Sequence, residues 1–572
     1  MEPPAQIFVY SGLFASTRSI DVPLKILFTL LSFLILFLVA AWHTSRKSYN
    51  RAPRGHEFVV SRVSDLFRLD LRDFLVSVGT NGNPVAFSGQ LGRHNVLVVN
   101  DWKLINLYEQ VENLDYFYSS APKLLRRNWY GLLMSDSTLS NRTELRTVLL
   151  HAFDTLPNHT YSSVGSFGVP LSGLGKHLLD DQVIRTPHDL DRWLWVLIAE
   201  FLFFDSPAFA DNYMNSSSWH NLQSKSQFIS QLALVIAGLE CYHIDGHTKT
   251  IRAECFNGQF PTENELLLGL DHLFVPLIQH ATEHYVLHIS VSGMDGKLLG
   301  ETSGTFLDQL IKAHHHLESE GEYVKFLKTA HLVHSLAEVC LILRNSLSQH
   351  LCVLFAVLAQ RPQWQLRILH DVVDTFHGEF QRSQYSKSLL LHQTHCIVWT
   401  KALVSEAMRF CSPGWPFACI RQAVRDGQLN NYDFAEGELV IFNQPAYLSD
   451  PELWARKSRD ETSSADYGDG SKDPSTRLPF DPARFIGTGA TADRITQLCL
   501  PVHWARFLLM GYTVCIPNEV VHRLLTAILL NFFAAGWRVK LDSQDEDVQA
   551  SSDLPVWLTS TLPSVRLVMS SQ

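Results

Sequence analysis

The chain has 572 residues, of which 46% are hydrophobic and 18% charged, with a formal net charge of −10. That balance suits a folded body with a large buried core and excludes a fibrous or disordered chain. No stripe of Lys and Arg interleaved with aromatics is present to hold a phosphate backbone, so nucleic acid is not an expected partner. Nine Cys residues run from Cys241 to Cys515 without a CxxC pair, which argues against a disulfide framework and against structural zinc. No long Gly/Ser or Pro-rich linker separates independent cores, so one large domain over residues 58–572 is the simplest expectation.

After a short leading segment, 1–25, the run Ile26–Trp42 carries no charge, Gly or Pro over 17 residues, near the lower limit for a helix that crosses a bilayer. It reads as a single-pass membrane anchor. A cleaved signal peptide is the competing reading, but the run is long, begins well inside the chain and lacks a small-residue cleavage site. The basic linker 43–57 holds Arg46, Lys47, Arg51 and Arg54 against only Arg18 and Lys25 before the run, which places the body on the cytosolic side. The sequons at Asn141, Asn158 and Asn215 are then unglycosylated; reversed topology would expose them to the lumen.

Between Glu322 and Arg361 there is neither Gly nor Pro, and about 40 residues of helix would span about 60 Å, enough to cross the whole domain. Apolar residues occur on nearly all its faces, so it is predicted to run through the core. A second helix is predicted from about His395 to Phe410, stopped by Pro413, Gly414 and Pro416. Residues 456–477 are polar and acidic without a hydrophobic period and read as a surface loop. An apolar helix from Glu519 to Phe533 and a strand pair, GWRVKL with VRLVM, close the chain.

Glu406 and Arg409 in SEAMRF lie three apart on one helix face, a pairing that by itself signifies only a solvated surface. Downstream, however, come AYLSDPELW from Ala446, FDPARF from Phe480, and MGYTVCIP, in which Cys515 precedes the last long helix. This succession resembles the cytochrome P-450 superfamily, over roughly the last 250 residues. The resemblance implies a mainly α fold with a small β region, preceded here by the N-terminal transmembrane helix. It implies that Glu406, Arg409 and Arg484 form a buried charge network and that Cys515 is the axial thiolate ligand of haem b iron, which favours O–O cleavage. A buried inert thiol is the bland alternative for Cys515.

On the same alignment the central helix offers Asn345 at the acid position and Ser346 at the alcohol position of the oxygen-activation motif, while Leu343 replaces its Gly. Arg146 matches an Arg that binds a haem propionate, Arg142 stands where a Trp is usual, and Arg421 is another candidate propionate contact. In the Cys loop, Leu508, Thr513 and Pro517 replace the family's Phe, Arg and last Gly. Three readings follow: a divergent monooxygenase, a haem enzyme that rearranges or cyclises its substrate without reductive oxygen activation, and a scaffold that has lost catalysis. The first implies an NADPH-dependent reductase as electron donor, an apolar small-molecule substrate, and anchorage in the endoplasmic reticulum membrane with the body cytosolic. The divergence is similar to that of fungal members that tailor secondary metabolites.

Other constellations carry less. His314, His315 and His316 are adjacent on a helix, so their rings diverge and read as helix surface rather than a metal site. GTGATA from Gly487 does not follow a strand that opens a βαβ unit. No GxSxG, GxxxxGK[ST] or HExxH motif occurs. The fallback is a membrane-tethered helical protein that binds an apolar ligand or another protein.

Overall fold

The computed structural model describes residues 31–35, 54–60, 86–91, 94–100, 117–118, 129–131, 142–156, 182–185, 187–204, 225–245, 262–292, 305–319, 328–375, 397–411, 420–423, 425–429, 432–443, 446, 448, 480–486, 516–542 and 564–569. Two compact units are distinguished, Met1–Arg51 with Gln428–Phe434, and Ala52–Gly427 with Ala435–Gln572. In the smaller one, residues 31–35 of the predicted anchor are helical and expose Leu31, Phe33, Leu34 and Ile35. The rest of 26–42, the surface loop 456–477 and GTGATA lie outside the described residues.

The larger unit is built on nine described helices: α1 Arg142–Asp154, α2 Asp191–Ala199, α3 Lys225–Asp245, α4 Glu263–Ser292, α5 Phe306–Ser319, α6 Thr329–Gln360, α7 Pro362–Thr375, α8 Val398–Cys411 and α9 Asn518–Ala534. The long central helix, α6, has 32 residues and is about 48 Å long. It begins later than Glu322 because the chain is capped at Lys328, whose backbone N–H donates to His331 Nδ1 at 2.9 Å. It ends at Arg361 because Pro362 cannot donate to the preceding turn and instead opens α7.

Residues of α6 from His331 to Ala359 are buried almost without break, as expected of a helix apolar all round. It is touched by α2, α4, α8, α9 and the strand Trp537–Leu541. This helix is long and apolar enough to cross a membrane, but 94% of its apolar window is buried inside the protein, so it is a core helix.

A six-stranded mixed sheet has the order Arg54–Val60, Ala86–Leu91, His94–Val99, Leu439–Phe442, Ile420–Ala423, Phe117–Tyr118. Val96 to Val99 and Leu439 to Phe442 pair in parallel and are all buried, as strands covered on both faces must be. Trp537–Leu541 and Val565–Met569 pair antiparallel in full register, the predicted C-terminal strand pair, and Val183–Ile184 adds a third strand. Gly536, at φ 90°, lets the chain leave α9 and enter that sheet directly.

Candidate functional site

Three stretches distant in sequence converge on one carboxylate. From α8, Arg409 donates Nε to Glu406 Oε2 and Nη2 to Glu406 Oε1, both at 2.8 Å, a bidentate pair set up by the three-residue helical spacing. Arg484 in the 3-10 turn Pro482–Phe485 donates Nε to Glu406 Oε2 at 3.0 Å, and the Asp481 backbone N–H donates to Glu406 Oε1 at 2.8 Å. Arg409 Nη1 donates onward to the Leu448 carbonyl at 2.6 Å. SEAMRF, AYLSDPELW and FDPARF are thereby joined at a single point.

The side chains of Glu406 and Arg409 are 0% and 1% exposed, and that of Arg484 is 5% exposed. The solvated surface pair that SEAMRF alone suggests is therefore excluded. Burial holds the Arg484 guanidinium below its ordinary pKa, opposed by the Glu406 carboxylate. Such a group is stable in a core only while every charge keeps its partner.

On α6, Asn345 and Ser346 are 8% and 2% exposed, and Leu343 is 0% exposed. Asn345 Oδ1 accepts from Arg344 Nη1 at 2.7 Å, whereas Asn345 Nδ2 and Ser346 Oγ have no hydrogen-bond partner. Arg146 is partly buried on α1. Arg142 begins the same helix, and Arg421 lies in the strand Ile420–Ala423; their side chains fall outside the described residues. So do Cys515 and Thr513. Pro517 is the N-cap of α9 at φ −60°, ψ 137°, a conformation its ring already favours, so this replacement is accommodated without backbone strain.

A second constellation is not signalled by any motif. Trp129 Nε1 donates to Glu338 Oε1 at 2.7 Å, and the indole stacks on His334 with ring centroids 4.1 Å apart. The Tyr130 N–H donates to His334 Nδ1 at 3.0 Å. Burial keeps His334 neutral, with its pKa pushed down to about 3, so its ring can accept that bond. Glu338 is 0% exposed; a buried acid in an apolar helix was the one sequence signal available here.

Segment 129–131 is thus clasped to the first third of α6. At Gly131 an added Cβ would lie 2.5 Å from both Glu338 Cδ and Oε1. Gly131→Ala is expected to cost about 1–3 kcal/mol through overpacking, read as a lowered midpoint of urea unfolding. A wild-type midpoint would show that the segment does not bear on α6.

Two further groups complete the description. On α8 and α9, His522 Nε2 lies 3.0 Å from Ser405 Oγ, and its pKa is lowered to about 4, first by burial and then by Lys401. On α5, His315 stacks on Tyr285 of α4, and His316 is exposed near His151 of α1.

A central helix buried along its length, crossed by shorter helices and flanked by a mixed sheet, with an E-x-x-R helix tied to a later Arg, defines the cytochrome P450 class of fold. The cytochrome P450 family model matches residues 292–457, a span that includes α6, α7 and α8. A zebra fish cytochrome P450 solved with abiraterone has the same fold at a TM-score of 0.51 and 16% identity, covering 88% of this chain and 100% of that one. No curated protein matches the chain by sequence. The chain thus has the cytochrome P450 fold, and residues 292–457 match the family's model; the general chemistry of that family is haem-thiolate monooxygenation. The described residues are compatible with such a group: the charge network ties the Leu448 carbonyl and the Asp481 N–H to α8, and on α6 Asn345 Nδ2 and Ser346 Oγ are buried polar atoms in need of a partner.

Proposed function

We propose that the protein is a membrane-anchored haem-thiolate monooxygenase that oxidises an apolar small molecule, with Cys515 as the iron ligand. The observation that carries this reading is the Glu406 hub, which binds Arg409, Arg484 and the Asp481 N–H together in the core. A network this costly to bury is retained where it braces something else, here the chain leading to Cys515. Arg146, with Arg142 and Arg421, is assigned to the haem propionates. The haem, when bound, supplies the oxidation chemistry; the chain's own residues hold it, line its apolar side with α6 and keep water out.

On this reading the N-terminal run 26–42 tethers the body to the cytosolic face of the endoplasmic reticulum. An NADPH-dependent reductase delivers the electrons, and the substrate is of the secondary-metabolite kind. A second reading, rearrangement or cyclisation of an already oxygenated substrate, is favoured by one feature of α6. Asn345 is an amide bonded to Arg344, and an amide cannot hand over a proton as the usual acid does.

The difference spectrum of dithionite-reduced protein with and without carbon monoxide tests the assignment. A strongly red-shifted Soret band in wild type, absent in Cys515→Ala, is the expected result. Folded protein that purifies colourless and takes up no haem would overturn it and leave the non-catalytic scaffold. NADPH-driven turnover with reductase, against turnover of a hydroperoxide without it, then separates the two chemistries.

A further inference from the structure

Arg344 sits beside the Asn345 and Ser346 positions and is held from two other helices. Its Nε and Nη2 donate to the two carboxylate oxygens of Asp191 at 2.9 and 2.8 Å, where Asp191 opens α2. Its Nη1 donates to both oxygens of Glu240 on α3, at 3.0 and 3.2 Å. The side chain is 4% exposed. A planar guanidinium bound edge-on by one carboxylate and capped by a second has no freedom to turn.

The same Nη1 lies 2.7 Å from Asn345 Oδ1. Arginine nitrogens donate and never accept, so the amide can face Arg344 only with its oxygen. The orientation of this Asn, which is often ambiguous, is therefore decided by chemistry. Its NH2 is turned away from Arg344, buried and without a hydrogen-bond partner, and the hydroxyl of Ser346, the next residue along α6, also has none. Two neighbouring orphaned polar groups on a core helix are rare unless a ligand or water meets them.

We propose that Arg344 is a positioning residue: braced by Asp191 and Glu240, it fixes Asn345 as an obligate hydrogen-bond donor to an acceptor oxygen on the ligand held beside Ser346. This rests on the haem reading above for the identity of the pocket. The ligand class it implies is one that presents a carbonyl, hydroxyl or peroxide oxygen at the distal side, rather than a pure hydrocarbon edge. Asn345→Asp does not reproduce the arrangement, because a carboxylate facing Arg344 presents a second acceptor where the donor stood.

Carbon monoxide bound to the reduced, full-length protein is the probe, and its C–O stretching frequency in the infrared is the readout, because a donor at the distal oxygen lowers it. Wild type is expected to show one band. In Asn345→Leu, which is close in volume, the band moves to higher wavenumber. In Arg344→Lys it splits, as the amide is released to flip. The unfolding midpoint of Asn345→Leu without carbon monoxide is expected to equal or exceed that of wild type, since an unmet donor has been removed.

Identical bands in all three proteins, or an Asn345→Leu midpoint lowered by several degrees, would overturn the proposal. If none of the proteins forms a carbonyl complex, the haem reading itself fails. The midpoint alone then decides on Asn345: unchanged or raised supports a spare donor, and lowered refutes it.

Discussion

Replacing Glu406 by Gln is expected to remove about 3–5 kcal/mol of stability, because the carboxylate on which two buried guanidinium groups converge is lost. The side chains of Arg409 and Arg484 are 1% and 5% exposed, so neither can recover its hydration without moving the chain around it. Gln keeps the shape of Glu, so no cavity is opened and the loss is one of charge and of acceptor capacity. It also supplies one acceptor oxygen where Glu406 now receives four donor contacts, from Arg409 Nε and Nη2, Arg484 Nε and the Asp481 N–H. Domains are stable by only about 5–15 kcal/mol in all, so poor accumulation of folded protein accompanies the change. Urea unfolding of wild type and variant measures it. A difference under about 1 kcal/mol, the range of an exposed pair, would show that the network does not carry the fold.

Acidification below neutral pH has a comparable expected effect, through two buried imidazoles. His334 and His522 have folded pKa values of about 3 and about 4, below the ordinary 6.5. Burial is the larger cause in both. His331 adds to it at His334; Lys401 and Arg523 add to it at His522, against a hydrogen bond to the Lys401 backbone that works the other way.

Above pH 6.5 both rings are neutral whether the chain is folded or not, and stability does not depend on them. Between about 6.5 and 4 the unfolded chain takes up two protons that the folded one refuses, so stability falls as pH falls, by about 1.4 kcal/mol per pH unit for each imidazole. Equilibrium unfolding at pH 7 and pH 5 is expected to differ on the order of 4 kcal/mol on that basis. In His522→Gln the slope drops by one proton. A flat profile between pH 7 and pH 5 would mean that these rings are hydrated in the folded protein.

Motif order carried the buried charge network. SEAMRF, AYLSDPELW and FDPARF are separated by tens of residues, yet each contains an atom that touches the Glu406 hub or its Arg409 partner, and their succession in the chain was enough to name the three charged residues. Helices α6, α8 and α9 were legible for another reason: uninterrupted apolar sequence between breakers fixes where a helix can exist. The start of α6 was misplaced, at Glu322 rather than Thr329, because its cap is a Lys328–His331 contact with no Ser, Thr, Asp or Asn to announce it. Most strands of the six-stranded sheet were not foreseen, since short buried runs such as Val96–Val99 have no alternation to reveal them.

What no local pattern could disclose is which polar residue of α6 meets which partner. Arg344 reads in sequence as an isolated charge in an apolar helix; only the fold brings Asp191, 153 residues away, and Glu240, 104 residues away, to its two edges. Trp129 and Gly131 are unremarkable in sequence and become specific only through Glu338, 209 residues from Trp129. The sequence by itself determined the family resemblance, the helical frame and the residues whose order encodes them, because hydrophobic period and motif spacing are local properties. The tertiary structure decided the orientation of Asn345, the neutrality of His334 and the need for glycine at 131. Each of these depends on a low-dielectric, close-packed neighbourhood assembled from segments far apart in the chain.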